Sequence, residues 1–99
     1  MADILNESGQ KVATMSEDNK VRNLQAVVIG SVLNNGDVYS SMGQKIGHVD
    51  GRGYVYEGEN HIGTVHNDGT VYDYSNHRVG KVIGGHIESG GAALLLLVM

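Results

Sequence analysis

Five histidines and three regularly spaced tyrosines are the residues of this 99-residue sequence that could do chemistry. Imidazole is the commonest metal ligand, but a site needs several ligands converging at about 2 Å on one ion, with outer partners to orient them. His48, His61, His66, His77 and His86 fall at irregular spacings. They read as scattered surface side chains, and neither a metal nor any other cofactor is expected. Tyr39, Tyr56 and Tyr72 recur 17 and 16 residues apart, and Arg22 stands 17 before the first. Such a series forms a belt if the intervening segments fold alike. Phenol faces there could stack a sugar or bind a peptide; their structural role would be to cover the outer side of short strands. A second series, Thr14, Ser31, His48, Thr64 and Lys81, offers a hydroxyl, an imidazole and an amine at one phase. No nucleophile elbow accompanies it, and the glycine-rich stretches lack both GxxxxGK[ST] and a strand–GxGxxG–helix setting. No catalytic residue is therefore assigned, and the chain is not expected to be an enzyme.

The elements that must position these residues repeat. An apolar residue followed by a small one occurs at Val12-Ala13, Ile29-Gly30, Ile46-Gly47, Ile62-Gly63 and Val79-Gly80, spaced 17, 17, 16 and 17. Three residues after each anchor comes Met15, Val32, Val49, Val65 or Val82. A turn pair follows, as in Asp68-Gly69, then a strand centred on Val21, Val38, Val55, Val71 or Ile87. Self-similarity at a fixed short period marks a repeat architecture. Asp-Gly between alternating apolar residues predicts a hairpin with a type I′ turn. Ile4 lies eight residues before Val12, as Val71 lies eight before Val79, so Asp3-Ile4-Leu5 is a second strand without a first. It would close a ring beside the last unit and so remove sheet edges. With no proline and no helical period, little or no helix is expected. On the second strands the Val71-type residues form the core; on the first, Gly63 and Val65 share a face. The small-residue ring would lie where strands converge on an axis, where a larger side chain would collide.

IGTVHNDGTVYD (62–73), IGHVDGRGYVYE (46–57) and IGSVLNNGDVYS (29–40) resemble the repeats of the bacterial β-flower proteins. The resemblance covers essentially residues 1–99. It implies β-hairpins around a pseudo-symmetry axis, in four- or five-fold form, and a C-terminus of small residues followed by bulky apolar ones, as in GGAALLLLVM. Unit one departs from it at Ala13, Asn19 and Arg22, which leaves four and five petals both open. The resemblance implies no activity and no functional residue.

The expected fold is thus all-β: one domain over 1–99 of about five ~17-residue hairpins around a pseudo-symmetry axis, its ring closed by the N-terminal strand. A net charge of −4 argues against nucleic acid, which requires a basic face. There is no Cys, and MADILNESGQK has no basic segment leading into an apolar one, so a cytoplasmic location is expected. The apolar tail, 91–99, is too short to span a bilayer, which takes about 20 residues. Burying Leu94, Leu95, Leu96 and Leu97 is worth about 6–12 kcal/mol in all. The tail could be a last strand, thread the centre of the ring, or pack against a second copy. Two functions remain: a non-enzymatic binding or assembly module, self-associating through the tail, and a carbohydrate- or metal-binding domain using the Tyr/His surface.

Overall fold

A computed structural model describes all residues, Met1–Met99. Ten short antiparallel strands close into a shallow barrel with extents of 30 × 29 × 19 Å. They are β1 (Ala2–Asn6), β2 (Lys11–Met15), β3 (Lys20–Asn23), β4 (Val28–Val32), β5 (Asp37–Ser40), β6 (Lys45–Val49), β7 (Tyr54–Glu57), β8 (Asn60–Val65), β9 (Thr70–Asp73) and β10 (Arg78–Ile83). Five petals result: β2–β3, β4–β5, β6–β7, β8–β9, and a fifth made of β10 with β1. Strand β1 pairs with β10 on one side and β2 on the other, so the N-terminal strand closes the ring as expected. The closed ladder leaves no unpaired edge.

The period of two places the core. Ile4, Val21, Val38, Val55 and Val71 are completely buried, and Met15, Val32, Val49, Val65 and Val82 nearly so. At every junction between petals one residue is skipped in the register: Val55 faces Gly63 while Tyr56 faces His61, leaving Ile62 unpaired. The same bulge leaves Val12, Ile29, Ile46 and Val79 unpaired. The apolar member of each anchor is therefore the extra residue of a β-bulge. Freed from the ladder, it packs against the core's margin.

Turn chemistry differs from the I′ expectation. In His66–Thr70 the Gly69 N–H donates to the His66 carbonyl at 2.9 Å, and the His66 N–H to the Thr70 carbonyl at 2.8 Å. Only Gly69 has positive φ, +92°. This is the three-residue loop in which one left-handed residue follows a tight turn. It suits the ring, because the Gly69 carbonyl then accepts from the Val82 N–H of the next petal at 2.8 Å. A side chain at Gly69 would run into the Val82 carbonyl. Gly53 to Val65, Gly36 to Val49 and Asn19 to Val32 repeat the latch at 2.7, 2.9 and 3.0 Å. The single 16-residue spacing has a cause: Glu57 pairs with Asn60 across a two-residue Gly58-Glu59 turn, where the other petals use three.

One expectation is overturned, and one of the three alternatives for the tail falls with it. Ile87 is not in a fifth second strand, and the tail is not a strand; α1 covers Ile87–Ala93, and one π-helical turn covers Leu94–Val98. These twelve residues are the chain's only helical segment, and the architecture is all-β with little helix, as expected. The physical reason that Ile87 is in no strand is that β1 already fills the last strand position. Gly84 and Gly85, both at positive φ, then turn the chain out of the ladder. The tail threads the centre. Added Cβ atoms at Gly30, Gly47, Gly63 and Gly80 would approach the methyls of Leu97, Leu96, Leu95 and Leu94 to 2.6, 2.8, 2.7 and 2.5 Å. No helix is long and apolar enough to cross a membrane.

Leu94 is only 2% exposed. Leu94→Ala should cost about 2–5 kcal/mol in urea unfolding, and a loss below about 1 kcal/mol would contradict an axial core. Acid should also weaken the ring. Thr70's backbone N–H and hydroxyl hold the Asp68 carboxyl below the usual range, with Lys81 and His66 assisting. Ser16, the Lys20 backbone and Arg22 do the same for Asp18. At Asp50 burial pushes upward, but hydrogen bonds from Tyr54 and Arg52 and the Arg52 charge outweigh it. Lowered carboxylates contribute stability above the unfolded value of about 4, lost as pH falls through their folded values. Unfolding midpoints should be flat from about pH 7 to 5, then fall below about pH 4, less steeply in Asp68→Asn.

Candidate functional site

Strand β7, Tyr54-Val55-Tyr56-Glu57, turns Val55 to the core and both tyrosines outward. Its neighbours supply imidazoles. His48 on β6 is the cross-strand partner of Tyr56, and their rings stack at 4.9 Å between centroids and 12° between planes. On the other side the bulge at Ile62 brings His61 of β8 opposite Tyr56. The His61 ring lies 5.5 Å from Tyr56 and 5.1 Å from Tyr54. Without that extra residue, His61 would alternate out of this register.

His61 is fixed by more than stacking. Its Nε2 lies 2.8 Å from the Gly63 carbonyl and 3.3 Å from Thr64 Oγ1. A carbonyl only accepts, so Nε2 carries the hydrogen, and Nδ1 is the acceptor of the neutral ring. Arg52 stacks its guanidinium over Tyr54 at 4.8 Å, a cation–π geometry, while Nη2 contacts Asp50 at 3.4 Å. Tyr74 meets His61 edge-on at 5.7 Å, and His66 packs on Tyr72 at 4.7 Å. Beside this strip runs an open groove of about 650 Å³ lined by Arg52, Tyr54, His61, Thr64, Val65, His66 and Asn67. Its wall is aromatic and its rim polar.

The belt read from the sequence is brought together only in part. Tyr56 sits at the centre of the strip, and Tyr72 contacts His66. Tyr39 faces a different groove, with Lys20, Ser31 and Ser40. Arg22 is engaged in its own hairpin: Nη1 donates to Ser16 Oγ at 2.6 Å, and Nη2 pairs with Asp18 at 3.5 Å. His61 reads from the sequence only as a scattered surface side chain, and Tyr54, Arg52 and Tyr74 are not singled out there as site residues. Tyr54 had a visible signal, since Tyr54 and Tyr56 alternate about Val55 on one strand face. His61 had none, because its partner depends on the bulge. Nowhere do three or more His, Asp or Glu side chains converge as they would to hold a metal ion.

The stacked His48–Tyr56 pair should be visible in solution. Aromatic shielding from Tyr56 should displace the His48 ring protons upfield, and Tyr56→Leu should return them to ordinary values while leaving exposed His77 unmoved. Because Tyr56 lies outside the core, the same change should cost only about 0.5–1.5 kcal/mol. Unaltered His48 resonances would rule out the stack.

Comparison with known proteins agrees with this architecture. A search of curated proteins and one of solved structures returned no match. A family model described as "5-fold beta-flower protein" matches residues 1–98, in keeping with the five petals and the closed ring. The chain belongs to the 5-fold beta-flower family.

Proposed function

We propose that this β-flower is a non-enzymatic binding module that holds a neutral sugar in the groove beside Tyr54 and His61. The observation that carries the reading is asymmetry. Five petals share one core pattern, yet the outward aromatics cluster on β6–β9. At the position of Tyr54 the other petals carry Asp3, Lys20, Asp37 and Thr70; at that of His48 they carry Thr14, Ser31, Thr64 and Lys81. Those petals fold without the rings, so the rings are not required by the fold. Aromatic faces accept the C–H side of a pyranose, and Arg52, Thr64 and Asn67 supply donors and acceptors for its hydroxyls. Arg52 is already paired with Asp50, which favours an uncharged ligand over an anion. Absence of turnover is part of the proposal. No Asp or Glu lines the groove to act there as a general acid.

Titration with a panel of neutral oligosaccharides, read by amide and imidazole resonances, tests this. Binding should perturb Tyr54, His61 and Thr64, and Tyr54→Ala and His61→Ala should each weaken it at least about tenfold with folding intact. Unchanged affinity in both variants, or no response to any neutral sugar at millimolar concentration, would sink the proposal.

Assembly is the second reading, favoured by the tail end of the barrel. Leu95, Leu96, Leu97 and Val98 stay half-buried there, as do the bulge residues Val12, Ile29, Ile46, Ile62 and Val79. Self-association through this end predicts a dimer mass in light scattering that reverts to monomer in Ile46→Lys.

A further inference from the structure

The bore and the tail are matched in size, tier by tier. Where the petals present large residues to the axis, the tail is small: Cβ atoms added at Gly90 and Gly91 would run into Val82 and Val65. Ser89 through Ala93 are all buried there. Where the petals present glycine, the tail is large. Leu94 lies on Gly80, Leu95 on Gly63, Leu96 on Gly47 and Leu97 on Gly30, so each step along the tail moves back one petal. The next step brings Val98 to the first petal, and Val98 lines the same groove as Val12, the neighbour of Ala13. That petal alone has alanine where the rest have glycine, and Val98 alone breaks the leucine run. The wall gains a methyl where the tail residue loses a methylene.

We infer that the bore is a register-specific binding site for an apolar helical segment, in which each petal reads one residue by size: glycine takes leucine, and alanine takes valine. In this chain its ligand is the tail itself. The π-helical turn serves that reading. Five petals stand about 72° apart, whereas an α-helix advances about 100° per residue. Four α-helical steps would overshoot by about 112°, more than one whole petal. The wider coil, in which the Met99 N–H reaches the Leu94 carbonyl at 3.1 Å, has a smaller step and keeps successive residues on successive petals.

A double-mutant cycle in the full chain tests the reading. Ala13→Gly and Val98→Leu each break a matched pair, whereas together they recreate the leucine-on-glycine contact of the other petals. The unfolding constant of the double variant should be at least about fivefold more favourable than the product of the single effects. Ala13→Gly with Leu96→Val, two petals out of register, should be additive within about twofold. A permuted tail, Leu97→Val with Val98→Leu, keeps composition and volume and leaves the ring untouched. It should raise the unfolding constant at least about tenfold. Additivity in the first cycle, or a permuted tail as stable as the natural one, would overturn the inference and reduce the tail to generic filling.

Discussion

A ring of short hairpins cannot bury its own centre, and the rest of this structure follows from that constraint. Each strand is four to six residues long, so a petal offers the axis only a few inward positions. Five petals together enclose a bore too wide for their own valines to close. Something must occupy it, and water there would forfeit the burial that offsets chain entropy in so small a protein. The tail supplies the missing core, and glycine in the ring supplies the room. Neither is intelligible alone: Gly63 in a strand weakens it, and four leucines in water are costly, but each answers the other.

The same constraint explains the bulges and latches. Skipping one residue at each junction bends the sheet sharply enough for ten strands to close, and turns the freed apolar side chain toward the core's margin. The left-handed turn residue of one petal then carries its carbonyl to the valine N–H of the next. Four of the five junctions between petals are thereby tied by a hydrogen bond outside the ladder. Degenerate unit one obeys these rules. Asn19 takes positive φ, 69°, where other units place glycine, and Ala26 takes 64° at a turn position held elsewhere by Gly9, Gly43 and, at 69°, Asn76. The geometry of the ring, not residue preference, dictates the turn.

What could be read from the sequence was what repeats. The period of about 17, the inward valines, the small-residue ring and the closing role of Ile4 all follow from alternation and spacing, which act locally. The bulge was hidden because Ile62 reads as an ordinary strand residue; only the partner strand shows that it has no mate. The tail's conformation was hidden for a deeper reason. Two consecutive glycines followed by small residues carry weak helix propensity, so local preference did not announce α1. Its helicity comes from the bore, where a helix is the form that satisfies its own backbone groups while presenting side chains all round. The Tyr series is not gathered into one strip, for a related reason. Equal phase in the repeat puts residues at equal heights on the ring, but side chains meet only across adjacent strands. Tyr56 therefore meets His48 and His61 rather than Tyr39.

Symmetry also separates what the fold needs from what it merely permits. Inward positions stay apolar or small in every petal, because wall and plug must fit; Ile4, Met15 and Ala13 are the departures from valine and glycine. Outward positions face no such test. Lysine, aspartate, tyrosine and threonine all occupy the Tyr54 phase without disturbing the ladder. A run of aromatic and imidazole rings confined to β6–β9 is therefore a departure that the architecture tolerates but does not require. Holding His61 by two polar contacts and stacking Arg52 over Tyr54 restricts flexible side chains at an entropic cost. On a surface free to carry alanine or serine, that ordering contributes little to folding. It leaves Tyr54, Tyr56 and His61 half-buried and packed on one another.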